Sequence, residues 1–169
     1  FMLVLLTGFS VYVIISKDKF LTSLEMFPEL GDLSSLIFPF ALAALMATAA
    51  MSATTASSIS LEGKKLWIYK SSPVTTAEIF NAKILVTMVV AVPLIVLNAV
   101  MYTFAFNFDV VQLLLLIFVP SVAIYVAAQL GLIFNLLFPK LEWKNEAMVV
   151  KNSTSAILSL LTAMLIAVL

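Results

Sequence analysis

Polar residues divide this chain into five apolar runs. They cover about 1–16, 33–60, 77–104, 110–138 and 153–169. The middle three exceed the roughly 20 apolar residues that a helix needs to cross a hydrocarbon core. The outer two are shorter, as cut spans would be. The sequence starts at Phe1 and ends at Leu169, inside apolar runs at both ends, and so reads as a piece of a longer protein. The first run lacks both a preceding basic segment and a following small-residue cleavage site, unlike a secretory signal peptide. One such run would suit a buried helix of a soluble domain. Five in succession, with almost no polar faces between them, point to lipid as the solvent. The runs are too long for strands and lack strict alternation. The expected architecture is therefore all-α: a polytopic helical membrane bundle, one domain over 1–169, with five spans and connecting loops at 61–76 and 139–152.

Local start and stop signals refine these elements. Thr75-Thr76-Ala77-Glu78 fits a capping box, with Thr75 as N-cap and Glu78 reaching back, so the third span starts near Thr76. Asp109 and Gln112 form a similar pair at the start of the fourth span. The short connection Asn107–Asp109 predicts a tight hairpin. Gly63 weakens any helix continuing from the second span, and Ser71-Ser72-Pro73 stops the segment that follows. A separate short element of about ten residues is expected between these breaks. The second span is rich in small residues (Ala43, Ala44, Ala47, Ala50, Ala53, Ala56, Ser57), which predicts close helix packing or the lining of a cavity. Pro39, Pro93 and Pro120 lie within or near span starts and are expected to kink them. Residues 20–30 read either as a short helix in the outer interface, with Glu25 and Glu29 on its polar face, or as a folded-back loop.

Charge then sets the orientation. The chain is 63% hydrophobic and 11% charged, against about 25% charged in an ordinary soluble domain. Seven lysines (64, 65, 70, 83, 140, 144 and 151) fall on the side of loops 61–76 and 139–152; only Lys17 and Lys19 fall on the other. The positive-inside rule puts the lysine-rich loops in the cytoplasm. Trp67, Tyr69 and Trp143 lie in the same loops, at the level amphipathic aromatics favour. Zero net charge makes nucleic acid an unexpected partner. The chain has no Cys and no His, which excludes disulfides, thiol nucleophiles and His-based acid–base chemistry.

Candidate chemistry is sparse. None of Gly8, Gly31, Gly63 and Gly131 lies in a phosphate-cradling GxxxxGK[ST] loop, so no nucleotide cofactor is expected and any ATP must be handled by a partner or another domain. Glu142 and Glu146 share a helical face, but Lys140 and Lys144 interleave with them, which fits a solvated, self-paired loop. No charge lies near the middle of a span, which disfavours a proton- or sodium-coupled carrier. Lys83 is about one turn from a span end and can snorkel. Asn98, Gln129 and Asn135 are the main amides within spans, suited to interhelical hydrogen bonding or to substrate contact. Thr48, Ser52, Thr55 and Asn98 are candidate residues of a substrate path. The segment Leu61–Pro73 (LEGKKLWIYKSSP) lacks a clean helical period, because Leu66, Trp67, Ile68 and Tyr69 are consecutive. It suits either a lipid-headgroup anchor or a plug that docks a soluble partner.

Two stretches resemble a known family. LEGKKLWIYKSSPVTTAEIFNAKIL, residues 61–85, resembles the first long cytoplasmic loop of permeases in the ABC type-2 exporter superfamily. NLLFPKLEWKNEAMVVKNS, residues 135–153, resembles the Asn-x-x-Phe-Pro-Lys-x-x-Trp-x-Asn-Glu stretch of the bacterial ABC permease subunits in that superfamily. The resemblance implies a six-span permease of the bacterial plasma membrane, without ATPase activity of its own. Its implied partners are an ATP-binding-cassette ATPase, the lipid bilayer, and a second permease unit or half. It further implies that Glu62, Gly63, Lys64, Lys65, Trp67 and Pro73 form the ATPase-coupling contact, with Gly63 bending the chain, Trp67 filling a pocket and Pro73 fixing the exit turn. Trp143, Asn145 and Glu146 would supply a second cytoplasmic contact. An ion-coupled carrier or channel and a non-transport scaffold are the competing expectations.

Overall fold

The computed structural model describes residues 2–16, 33–52, 55–62, 71, 73–139 and 154–168. Its elements are α1 (Met2–Ile15), α2 (Leu33–Met51), a 3-10 turn (Thr55–Ser57), α3 (Ser58–Glu62), α4 (Thr76–Phe106), α5 (Val110–Leu137) and α6 (Thr154–Val168). The protein is all-helical, with no strand among the described residues. Three stretches, Leu36–Glu62, Thr76–Phe106 and Val110–Leu137, are long and apolar enough to cross a membrane. At 1.5 Å rise per residue, the 31 residues of α4 reach about 46 Å. By the same measure α1 and α6, with 14 and 15 residues, reach only about 21–23 Å.

The boundaries have local causes. At the start of α4 the Thr75 Oγ1 accepts from the Glu78 N–H at 3.3 Å, and the Glu78 carboxylate accepts from the Thr75 N–H at 2.8 Å, the reciprocal bonds of a capping box. At the other end Asn107 adopts the left-handed conformation (φ 54°, ψ 48°), which Asn tolerates better than most residues. Its N–H and that of Phe108 both bond back to the Thr103 carbonyl, and the chain turns straight into α5. The Asp109 N–H donates to the Gln112 carboxamide at 3.0 Å. The tight hairpin expected around Asn107–Asp109 is therefore present. All three helices α2, α4 and α5 run through their prolines, Pro39, Pro93 and Pro120.

Two expectations are corrected. The second span is not a single helix to Ser60. It breaks after Met51, where the Ser52 N–H bonds the Ala49 carbonyl, and resumes through a 3-10 turn into α3. Loop 61–76 also starts later than expected, because Leu61 and Glu62 are the last residues of α3; its far end agrees, with α4 starting at Thr76 as the capping box predicts.

α5 is the central helix and packs against α2, α4 and α6; α1 packs on α4 and α2. One end of the bundle, here the lower end, gathers Glu62, Thr76, Leu137 and Thr154, and the α4–α5 hairpin closes the upper end. Three cores fill the interior. Leu45, Ala99, Tyr102 and Leu116 form the upper one; Leu3, Ala49, Ala91, Ile95 and Ile124 the middle; Ala50, Ala127 and Ala163 the lower. Phe38 meets the Phe108 ring edge-on at 5.5 Å beside the upper core. Only 28% of the apolar window of α4, and likewise of α5, is buried within the bundle. The remainder, including Phe104 at 81% exposure and Phe118 at 67%, needs an apolar solvent.

Candidate functional site

The described part of the molecule concentrates its polar side chains in two buried clusters. The lower one sits where the second span breaks. In α5, Ala127, Gly131 and Asn135 recur at four-residue spacing and face this break. The small residues let the 3-10 turn approach the α5 backbone closely. A Cβ placed on Gly131 would lie 2.9 Å from Thr55 Oγ1, 3.1 Å from the Ala56 nitrogen and 3.2 Å from Ser159 Oγ. Thr55 Oγ1 donates to the Ala128 carbonyl at 2.6 Å.

Asn135, fully buried, is the hub. Its Oδ1 accepts from the backbone N–H groups of Ile59 (3.0 Å) and Ser60 (2.9 Å). Its Nδ2 donates among the Ala56 carbonyl, Ser60 Oγ (3.0 Å) and Ser155 Oγ (3.1 Å). The amide orientation follows from these partners: the reverse would set an NH2 against two N–H groups and an oxygen against a carbonyl. At the far end of α3 the Glu62 carboxylate pairs with Lys83 of α4, both side chains mostly buried, and the Lys83 ammonium also lies 3.5 Å from the Ser58 carbonyl. Lys83 thereby ties α3 to α4.

The second cluster joins α1 to α4 in the upper half. Asn98, also fully buried, donates from Nδ2 to Thr7 Oγ1 (2.9 Å) and to the Leu94 carbonyl (2.8 Å). Its Oδ1 lies 2.8 Å from Ser10 Oγ, which also lies 2.8 Å from the Leu6 carbonyl and from the Tyr102 hydroxyl. Ser10 has one proton to share between two carbonyl-type acceptors. The Tyr102 hydroxyl therefore donates to it.

The expected site residues fall into three groups. Glu62 and Pro73 flank the lower end, Glu62 held by Lys83 and Pro73 exposed ahead of the α4 cap. Gly63, Lys64, Lys65, Trp67, Trp143, Asn145 and Glu146 lie outside the described residues, as do residues 20–30. Thr48, Ser52, Thr55 and Asn98 are not brought to one surface. Thr48 and Ser52 bond back to their own helix at the Ala44 and Thr48 carbonyls, while Thr55 and Asn98 belong to opposite clusters. Asn135 bonds between helices as expected; the sequence reading missed the junction itself, where Gly131, Asn135 and Ser155 meet Thr55–Ser60. The available signal was the small-small-Asn spacing at 127, 131 and 135. Among the described residues no group of acidic side chains is placed to hold a metal ion. No protein-family model, curated protein or solved structure matches the chain.

Proposed function

We propose that this chain is membrane-spanning permease subunit material of an ATP-binding-cassette exporter in a bacterial plasma membrane, with ATP hydrolysed by a separate partner subunit. The observation that carries the reading is segment 61–73. It is basic and aromatic, bounded by Gly63 and Pro73, and followed in order by the Asn135–Ser153 stretch that resembles the same superfamily. The lower junction supports a coupling role. The segment leaves directly from α3, and α3 is bonded to α4 through Lys83 and to α5 through Asn135, whose amide also reaches Ser155 of α6. On its other side the segment enters α4 through Pro73 and the Thr75 cap. A push on residues 63–72 therefore bears on three helices.

The test is a search of the neighbouring reading frames for an ATP-binding-cassette ATPase and co-purification with it, together with transport in vesicles. Trp67→Ala is the cleaner variant, because Glu62→Ala also removes the partner of Lys83. The expected result is loss of most ATPase recovery and of ATP-driven transport in Trp67→Ala. Undiminished recovery and transport in both variants would overturn the reading. Transport that follows an ion gradient without any ATPase would replace it with a carrier.

A further inference from the structure

We propose that residues 55–62 are a latch: a piece of the second span that is capped in trans by Asn135 and leaves its seat on α5 as one unit. The start of any helix leaves backbone N–H groups without intrahelical partners. An N-cap side chain next to the helix ordinarily accepts from one of them. At α3 two such donors, Ile59 and Ser60, are taken instead by the Asn135 Oδ1 from another helix. The same carboxamide donates to the Ala56 carbonyl, in the 3-10 turn that leads into α3. One side chain thus completes three backbone groups, all on residues buried within the bundle.

The rest of the seat is slender. Its buried apolar side chains are Ala56 and Ile59. Gly131 supplies the close approach, and the Glu62–Lys83 pair closes the far end. An element held by a few polar contacts at both ends, with little apolar packing between, releases cooperatively. Losing the Asn135 contact removes a hydrogen bond from three backbone groups together, which favours their release as one unit. Because α3 runs directly toward residue 63, whatever pulls on the following segment acts on this latch. Under the exporter reading that agent is the ATPase; the latch itself does not rest on that reading.

The chain has no cysteine, so one introduced thiol is a unique reporter. Ser60→Cys and, on α4 at the same end, Thr87→Cys are each labelled with N-ethylmaleimide in membranes bearing the full chain. Ser60 and Thr87 are both buried, and slow labelling is expected at each. Adding Asn135→Leu should accelerate labelling at position 60 by at least about tenfold, since the cap is lost. Adding Gly131→Ala, which crowds Thr55 and Ala56, should accelerate it by about threefold. Position 87 should keep its rate in both backgrounds. Should Asn135→Leu fail to accumulate, Gly131→Ala decides alone. Unchanged labelling at position 60, or equal acceleration at 60 and 87, would overturn the latch. No ATPase is present in this assay, so its failure is distinct from failure of the docking experiment.

Discussion

Asn98 and Asn135 are both fully buried amides in apolar helices, yet they do different work. Asn98 bonds to side chains of an intact helix, Thr7 and Ser10, and to the Leu94 carbonyl of its own helix. Its interhelical partners have other options: Thr7 Oγ1 already donates to the Leu3 carbonyl at 2.9 Å, and the Leu6 carbonyl lies 2.8 Å from Ser10 Oγ. Asn135 instead serves backbone groups of the Ala56–Ser60 stretch that follows the break: the N–H groups of Ile59 and Ser60 and the carbonyl of Ala56. The difference teaches that a buried amide is fastening between helices in one place and a missing piece of secondary structure in the other. The number of hydrogen bonds does not distinguish the two cases; the nature of the partner does.

The largest effect is expected at Asn135. Asn135→Leu keeps the volume but strands two N–H groups and a carbonyl, at about 1–3 kcal/mol each, so a loss of about 3 kcal/mol or more is predicted. Thermal unfolding in detergent, followed by size exclusion, should show a large fall in Tm. Gly131→Ala comes next, at about 1–3 kcal/mol, because its methyl meets the Ala56 backbone and a Thr55 hydroxyl already held by Ala128. A rise in Tm for Gly131→Ala would mean that the turn is not seated against α5 as described. Asn98→Leu should cost least, about 1 kcal/mol, since interhelical hydrogen bonds in membranes average about 0.6 kcal/mol and the stranded hydroxyls bond within α1. An Asn98→Leu melt as low as that of Asn135→Leu would erase the distinction between the two sites.

What was legible in the sequence was local. The apolar helices, the Thr75–Glu78 cap and the Asn107 hairpin depend on neighbours within a few residues; the cap and hairpin are present, and three of the apolar stretches are long enough to cross a membrane. The inward faces were harder to read, because these helices are apolar all round. α4 buries Thr87, Ala91, Asn98 and Ala99 while exposing Leu85, Val86, Val89 and Val90. The interior mixes small and polar side chains with large apolar ones such as Leu45, Ile95, Leu116 and Ile124, so hydrophobicity does not set it apart from the exposed faces, as expected where lipid is as apolar as leucine. The break in the second span was hidden for another reason. Neither Gly nor Pro occurs between Ser52 and Ser60, and the partner that sustains the break lies 75 residues away from Ser60. Glu62 shows the same limit. Its neighbours in sequence place it in loop 61–76, whereas it ends α3, paired with Lys83 21 residues on.

The trans cap can be measured directly by hydrogen–deuterium exchange of the full chain in nanodiscs, read at the Ile59 and Ser60 amides. Although both lie in the first turn of a five-residue helix, they are predicted to exchange as slowly as the core amides of α5. In Asn135→Leu they should exchange rapidly while residues 91–105 keep their protection, and Asn98→Leu should leave them slow. Rapid exchange of Ile59 and Ser60 in the unaltered protein, or unchanged protection in Asn135→Leu, would contradict the account.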